Sequence, residues 1–441
     1  MTSSFMINSI QQRLMDKVSR IDNIVAFDDD LPPKSVCRLT FVDFAPIFKI
    51  DLDHGSEKLV NITMVEVWDV VCCETIGANV EIQLSVGGLI ERKRVLTTYA
   101  MGDTDMEALN LEALVHLRAP VVFHVKLLRL WVRPFDTREY DEKVRPIVPQ
   151  IQFRDFEPKI VDSSSNRFES IDEVVARLNG AINAEEITGK VLSVQTLACS
   201  AGHNWEIDSQ STRYQPWAGK TVFVLRVIWM LGPIQDEEVG LTDFVPQCLV
   251  GGGMFKRPQF ESQSCVLRKA SKWLSENPEI NFFSAMSVYI KLKSIASIDT
   301  KQMSVTRGTG HYVRFLRIAY TKPRKVSANI SLNSTLPPPP PIYLEHRVFV
   351  LHKDYSEIKH AINDFIGRDE WRTAHEQYNW LLLNCETVPI FAKNYLKTTL
   401  EKNTDRSFQA LLSSNLNLSL TQYYALKLYY DVGYFGASMV P

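Results

Sequence analysis

The sequence predicts a mainly β protein, with two tandem antiparallel β-sandwich domains and a helical C-terminal domain. Three observations carry that expectation. Two long apolar runs end alike: Val125-Lys126-Leu127-Leu128-Arg129-Leu130-Trp131-Val132 meets Arg133-Pro134, and Val313-Arg314-Phe315-Leu316-Arg317-Ile318-Ala319-Tyr320 meets Thr321-Lys322-Pro323. Each closes a region of short strand-like runs broken by glycines, the pattern of a sandwich or jelly roll. Past the five consecutive prolines 337–341 the apolar spacing becomes helical.

In residues 1–35, Ile7, Ile10, Leu14, Val18 and Ile21 share one helical face, ahead of the acidic turn Asp28-Asp29-Asp30. Strand-like runs at 36–43, 46–51, 59–73, 79–85, 90–99 and 121–132 make a first sandwich over residues 36–135. Alternation is clearest in Val80-Glu81-Ile82-Gln83-Leu84-Ser85-Val86, a half-buried strand. Residues 136–169 are charged, contain prolines and include Ser163-Ser164-Ser165, which reads as a linker.

The second sandwich covers residues 170–330. The capping box Ser170-Ile171-Asp172-Glu173 opens a short helix through Val174, Leu178 and Ile182. Strands follow at 190–198, 221–231, 263–267, 286–293 and 311–320, with a helical stretch from Lys269 to Ser275. Residues 331–341 are a stiff polyproline II spacer. Over 342–441 one strand, His346 to His352, precedes a helix carrying Tyr355, Ile358, Ile362 and Phe365 and stopped by Gly367. Further helical patterns cover 374–384, 388–402, 406–414 and 419–431, the last opened by the capping box Ser419-x-x-Gln422.

With 441 residues the chain has room for two to three domains, and 45% apolar with 23% charged residues is ordinary for a soluble protein. Its 49 basic and 51 acidic residues nearly cancel, so attraction to nucleic acid or anionic membrane must be local. No run approaches the roughly 20 apolar residues that span a bilayer. Seven cysteines without CxxC spacing, and an N-terminal segment without a basic region ahead of an apolar core, set the expectation of reduced thiols in a cytoplasmic protein. Nothing in the sequence calls for a metal or cofactor.

Two groups of residues are candidates for chemistry. Arg307, Tyr312, Arg314, Arg317, Tyr320, Lys322 and Arg324 lie in a stretch from Lys301 to Lys325 that has no acidic residue. Interleaved cations and aromatics suit phosphates and stacked bases. The same stretch also reads as a strand with a solvated basic edge that resists pairing with other strands.

The second group is Asn384-Cys385-Glu386, which resembles the Asn-Cys-Glu segment of the lecithin:retinol acyltransferase-like thiol enzymes. That resemblance implies Cys385 as a nucleophile at a helix start, with His346 as its base, in a hydrolase or acyltransferase. Thr387 stands where that family has a histidine. The other reading is a buried structural cysteine beside Asn384.

The exit Leu130-Trp131-Val132-Arg133-Pro134 and the tandem β domains resemble the jelly rolls of picorna-like virus coat proteins. Residues 59–135 are similar in layout to plant-virus movement proteins. The resemblance implies a non-catalytic viral structural or assembly protein, self-associating into homo-oligomers through protein–protein contacts, with nucleic acid as a further partner.

Overall fold

Four lengths of chain repeat one plan: an outer strand, an inner strand, then a long centre strand lying between the two. The computed structural model describes residues 39–44, 68–84, 90–96, 98–99, 121–134, 151–162, 167–209, 219–252, 257–293, 298–307, 310–324, 341–350, 360–362, 364–365, 381–392, 396–411 and 421–433. The predicted N-terminal helix, the prolines 337–340 and residues 374–380 of the helix predicted over 374–384 lie outside them.

Unit 1 holds β1 (Thr40–Phe44), β2 (Trp68–Leu84), β3 (Ile90–Leu96), β4 (Thr98–Tyr99) and β5 (Val121–Pro134). Unit 2 holds β6 (Ile151–Phe156), β7 (Ile160–Asp162), β8 (Arg167–Phe168), α1 (Ile171–Asn183), β9 (Gly189–Ser200) and β10 (Lys220–Leu231). In unit 3 come β11 (Glu237–Phe244), β12 (Cys248–Val250), β13 (Gln259–Phe260), α2 (Gln263–Glu276), β14 (Asn281–Lys291), β15 (Ser304–Thr306) and β16 (Gly310–Pro323). Unit 4 contributes β17 (Leu344–Val350), β18 (Leu381–Ala392), α3 (Lys397–Asp405), β19 (Phe408–Leu411) and β20 (Thr421–Asp431).

The centre strands β5, β10, β16 and β20 each pair antiparallel with an inner strand (β2, β9, β14, β18) and an outer strand (β1, β6, β11, β17). The inner strands touch in order, β2 to β9, β9 to β14, β14 to β18, and β18 back to β2. The four sheets therefore stand in a closed ring. Short strands bind neighbours: β15 pairs with β10, β19 with β16, and β4 of unit 1 with β20 of unit 4. Each comes from between the inner and centre strands of its unit and adds to the first residues of the preceding unit's centre strand.

Hydrophobic core fills the four joints. Phe41, Cys72 and Trp131 pack with Cys385, Tyr424, Leu426 and Leu428 between units 1 and 4. Cys73, Leu130 and Val132 meet Ile151, Leu192 and Ile228 between units 1 and 2. Between units 2 and 3, Val174, Leu178 and Val227 join Val239 and Ala319, and between units 3 and 4, Val266 and Leu316 join Leu344 and Tyr429. Burying a side chain such as Leu178 or Leu316 is worth about 1.5–3 kcal/mol.

Helices α1 and α2 start the same way for a visible reason. Phe168-Glu169-Ser170 and Phe260-Glu261-Ser262 precede them, and the serine hydroxyl of each accepts the amide of the third helical residue. Glu169 accepts the Lys159 amide and bonds Arg177, while Glu261 accepts the Gln247 amide and bonds Lys269.

The fold corrects the sequence expectation in two ways. There are four sheets in a ring and not two tandem sandwiches. The C-terminal region is not a helical domain: 381–392, 408–411 and 421–431, which overlap the predicted helical patterns, are strands, and besides α3 the described residues there include only short helical pieces such as 360–362 and 364–365. Tyr423 through Tyr430 is buried on both faces, so it shows no polar alternation to mark it as a strand. Similarly, 263–267 opens α2, and 151–156, part of the predicted linker, is β6 on the edge of β10. No helix among the described residues is long and apolar enough to cross a membrane.

Candidate functional site

The four units meet at the ring axis through one five-residue segment used four times: Val71-Cys72-Cys73-Glu74-Thr75, Leu192-Ser193-Val194-Gln195-Thr196, Phe283-Ser284-Ala285-Met286-Ser287 and Leu383-Asn384-Cys385-Glu386-Thr387. In every copy the first residue is bulged, so Val71, Leu192, Phe283 and Leu383 have no partner in the ladder. A bulge bends its strand and re-aims the residues that follow. The fourth residue registers with a buried cation on the centre strand: Glu74 with Arg129, Gln195 with Arg226, Met286 with Arg317 and Glu386 with Lys427.

Beside these segments an inner strand has no second strand partner among the described residues, so its amides need other acceptors. Each unit supplies them to the unit before it. The Thr75 amide donates to Gln195 Oε1 at 2.7 Å, and Arg226 donates to the Thr75 hydroxyl at 3.2 Å. The Thr196 amide meets Met286 Sδ at 3.3 Å, and Arg317 reaches the Thr196 hydroxyl at 2.8 Å. Ser287 donates its amide to Glu386, while Lys427 reaches the Ser287 hydroxyl at 3.1 Å. The Thr387 amide donates to Glu74 Oε2 at 2.7 Å, and Arg129 reaches the Thr387 hydroxyl at 3.2 Å. Four joints thus use one device, and the last closes the circle.

Two joints add a second contact. Asn384 Nδ2 donates to the Ala285 carbonyl at 3.0 Å, and the Cys385 amide donates to Cys72 Sγ at 3.2 Å. Burial pushes the Glu74 carboxyl above its ordinary range, while Arg129 and the donors of Thr387 and Trp131 oppose that. A cavity of about 140 Å³ lies at the axis, lined by residues of all four segments together with Lys126, Phe223, Arg307 and Tyr424.

Cys385 lies within β18, fully enclosed, and not at a helix start. Burial, and then its contact with Cys72, holds the thiol well above its ordinary pKa, away from the thiolate a nucleophile needs. His346 on β17 registers with Tyr429 on β20, which registers with Asn384. The imidazole therefore lies in line with Asn384 two strands away, about 10 Å, and Cys385 faces the opposite side of the sheet. Burial and the nearby Lys427 and Arg314 charges pull His346 down to about 3, which makes it a weak base. The structure does not bring the pair together.

The basic strand β16 is covered on both faces. Arg314 is fully buried, donating to Tyr289 Oη at 3.3 Å and to the Thr404 and Arg406 carbonyls. Arg317 forms a two-point pair with Asp243 at 2.7 Å. Tyr312 is buried against Tyr289 and Phe391, and the buried Arg307 guanidinium lies 5.3 Å from the Phe223 ring centre. Tyr320 packs on Trp273 and over Gly240, where any Cβ would stand 2.3 Å from its ring. Lys322 and Arg324 reach solvent, beside Glu238 and Asp236. The seven residues do not line one open groove.

The axial residues were within reach of the sequence. The run Leu-Arg or Leu-Lys recurs at 128–129, 225–226, 316–317 and 426–427, and Asp-Phe at 43–44, 155–156 and 243–244. The echo between the runs ending at Pro134 and Pro323 is two of these four copies. A search for internal periodicity finds such signals. No protein-family model, curated protein or solved structure matches this chain.

Proposed function

We propose that this chain is a non-catalytic structural or assembly protein, acting through protein–protein contacts made at the periphery of a rigid ring. The observation that carries this reading is the circle of bridges, each joining a Thr or Ser to an acid, amide or thioether and to an Arg or Lys: buried groups at the axis are used to join units. The periphery offers surface of another kind. The β7–β8 and β12–β13 hairpins occupy the same place in units 2 and 3, and expose Ile160 and Val161 in one and Leu249 and Val250 in the other, each about half exposed or more. Apolar pairs on short exposed strands are the surface that edge pairing uses. The viral part of the proposal, a coat- or movement-like role, rests on the exit-strand resemblance alone.

The test is self-association of the full chain, followed by light scattering across a concentration series. Oligomers are expected, and Ile160→Ser with Val161→Ser, or Leu249→Ser with Val250→Ser, should shift them toward monomer. A chain that stays monomeric at high concentration overturns the proposal.

A further inference from the structure

Away from the axis, a second cavity of about 240 Å³ lies in the joint of units 2 and 3. Its first wall is one face of the unit 3 sheet. Val239 registers with Thr321, and Thr321 with Asn281, so their side chains stand in a row. Glu237 lies two residues before Val239 and shares that face, where Asn281 Nδ2 donates to its Oε1 at 2.9 Å. The facing wall holds Ile182 of α1, Ile187, and Val191 of β9, which pack in one core cluster with Val239 and Phe283. Asn179 of α1 fixes the gap: its side-chain amide exchanges hydrogen bonds with the Val239 carbonyl and amide at 2.9 and 2.8 Å. The floor is therefore apolar, and the rim is polar and open to solvent at the exposed Gln235 and Asn281.

Among the described residues one charged side chain faces this space. The half-buried Glu237 carboxylate has the Asn281 amide as its donor and no cation among its described partners. Arg324 turns to Asp236 and to the Glu237 carbonyl, and Lys322 turns to Glu238. Lys190 also borders the cavity, but it registers with Met230, whose side chain packs in the joint of units 1 and 2. Its ammonium therefore points to the opposite face of the sheet. A carboxylate has about four acceptor positions, so Glu237 can take further donors.

We propose that this cavity binds a small amphiphilic amine, its hydrocarbon end among Ile187, Val191 and Phe283 and its ammonium on Glu237. Apolar surface leaving water supplies most of the affinity, and the carboxylate selects the head group. An anionic head would meet Glu237 with like charge. At the corresponding place in unit 3, Phe282 registers with Tyr320 as Val191 does with Trp229, and its larger ring packs into the joint with unit 4. The site needs nothing from the assembly reading, since the exposed hairpins take no part in it.

The experiment is calorimetric titration of the full chain with hexylamine, hexanol and hexanoate at one pH and ionic strength. Hexylamine should bind the wild type about fivefold more tightly than hexanol, the worth of a half-exposed ion pair, and hexanoate should bind most weakly. Glu237→Gln should cost the amine about that factor and leave hexanol unchanged. Val191→Phe, which borrows the residue of unit 3, should remove binding of all three. Glu276→Gln, at the exposed end of α2, should bind as the wild type does. Absence of amine binding in the wild type overturns the proposal, as does a preference for hexanol or hexanoate, or equal affinity for all three. Undiminished amine binding in Glu237→Gln or in Val191→Phe overturns it too. Should Val191→Phe fail to fold, Glu237→Gln decides alone, since it leaves the apolar walls untouched.

Discussion

Units 2 and 3 treat their buried cation differently from unit 4. Arg226 and Arg317 each form a two-point pair with an aspartate of the outer strand, Asp155 and Asp243, and their inner-strand partners are the neutral Gln195 and Met286. In unit 4 the outer strand offers Val348 at that place, the cation is Lys427, and the inner strand supplies Glu386. The negative charge has moved from one side of the centre strand to the other. What is fixed across the units is neutralisation plus one donor for the hydroxyl of the preceding unit, and not the identity of the neutralising residue. A rigid fork suits the two-point pair, whereas a single ammonium suffices where a carboxylate already has other donors.

Removing the cation should show this comparison most strongly. Arg317→Met leaves the partly buried Asp243 carboxylate without its partner and should cost about 3–5 kcal/mol in urea unfolding. Lys427→Met leaves Glu386 with the Ser287 and Tyr429 donors and should cost less, about 1–3 kcal/mol. Arg317→Met combined with Asp243→Val, which gives unit 3 the outer residue of unit 4, should be more stable than Arg317→Met alone. Equal losses for the two single variants would break the comparison.

A smaller effect is its pH dependence. Burial, and then the Arg314 charge, lowers Lys427 to about 8, with Glu386 acting against the shift. Between pH 8 and roughly 10.5 the unfolded chain holds a proton at this lysine that the folded chain has released. Stability from this group therefore rises with pH across that window, and the burial penalty is present in full below it. Unfolding free energies at pH 7.5, 9 and 10 should show the wild type gaining on Lys427→Met. Arg226→Met should show no such divergence from the wild type.

The smallest effect concerns the cysteines of units 3 and 4. The Ser262 hydroxyl and Arg268 lower the pKa of Cys265 at the start of α2, while Cys385 is raised. With iodoacetamide at neutral pH, peptide mapping should find modification at Cys265 and at exposed Cys248 well before Cys385. Early loss of Cys385 would restore the thiol-enzyme reading.

The legible parts of the sequence were those with local causes. The capping box at Ser170 gives α1 its start, and β10 and β16 announce themselves by long β-branched and aromatic runs. The strand β20 carries the same plan in other residues, Tyr423-Tyr424-Ala425-Leu426-Lys427, and Ser419 with Gln422 imitates a helix start. With both faces covered, its pattern holds no period that separates strand from helix. The axial site was hidden for a different reason. Its repeat survives in only a few positions per unit, at uneven spacings of 97, 91 and 110 residues from Arg129 to Lys427, and the amide bonds that define it join residues 90 or more positions apart. The basic run 301–325 looked like a surface because sequence cannot show that a neighbouring unit lies on each side of it.

The joint between units 4 and 1 has one further consequence. Glu74 and Thr387 are 313 residues apart, yet they meet as Gln195 meets Thr75 across a covalently continuous joint. A contact chemically equivalent to its neighbours carries no label saying whose unit 1 it holds. Only tethering, an effective concentration on the order of millimolar, favours the chain's own unit over that of a second molecule. The same interface that closes one ring would, between molecules, join many, and whether the product is closed or open is set by geometry and crowding rather than by recognition.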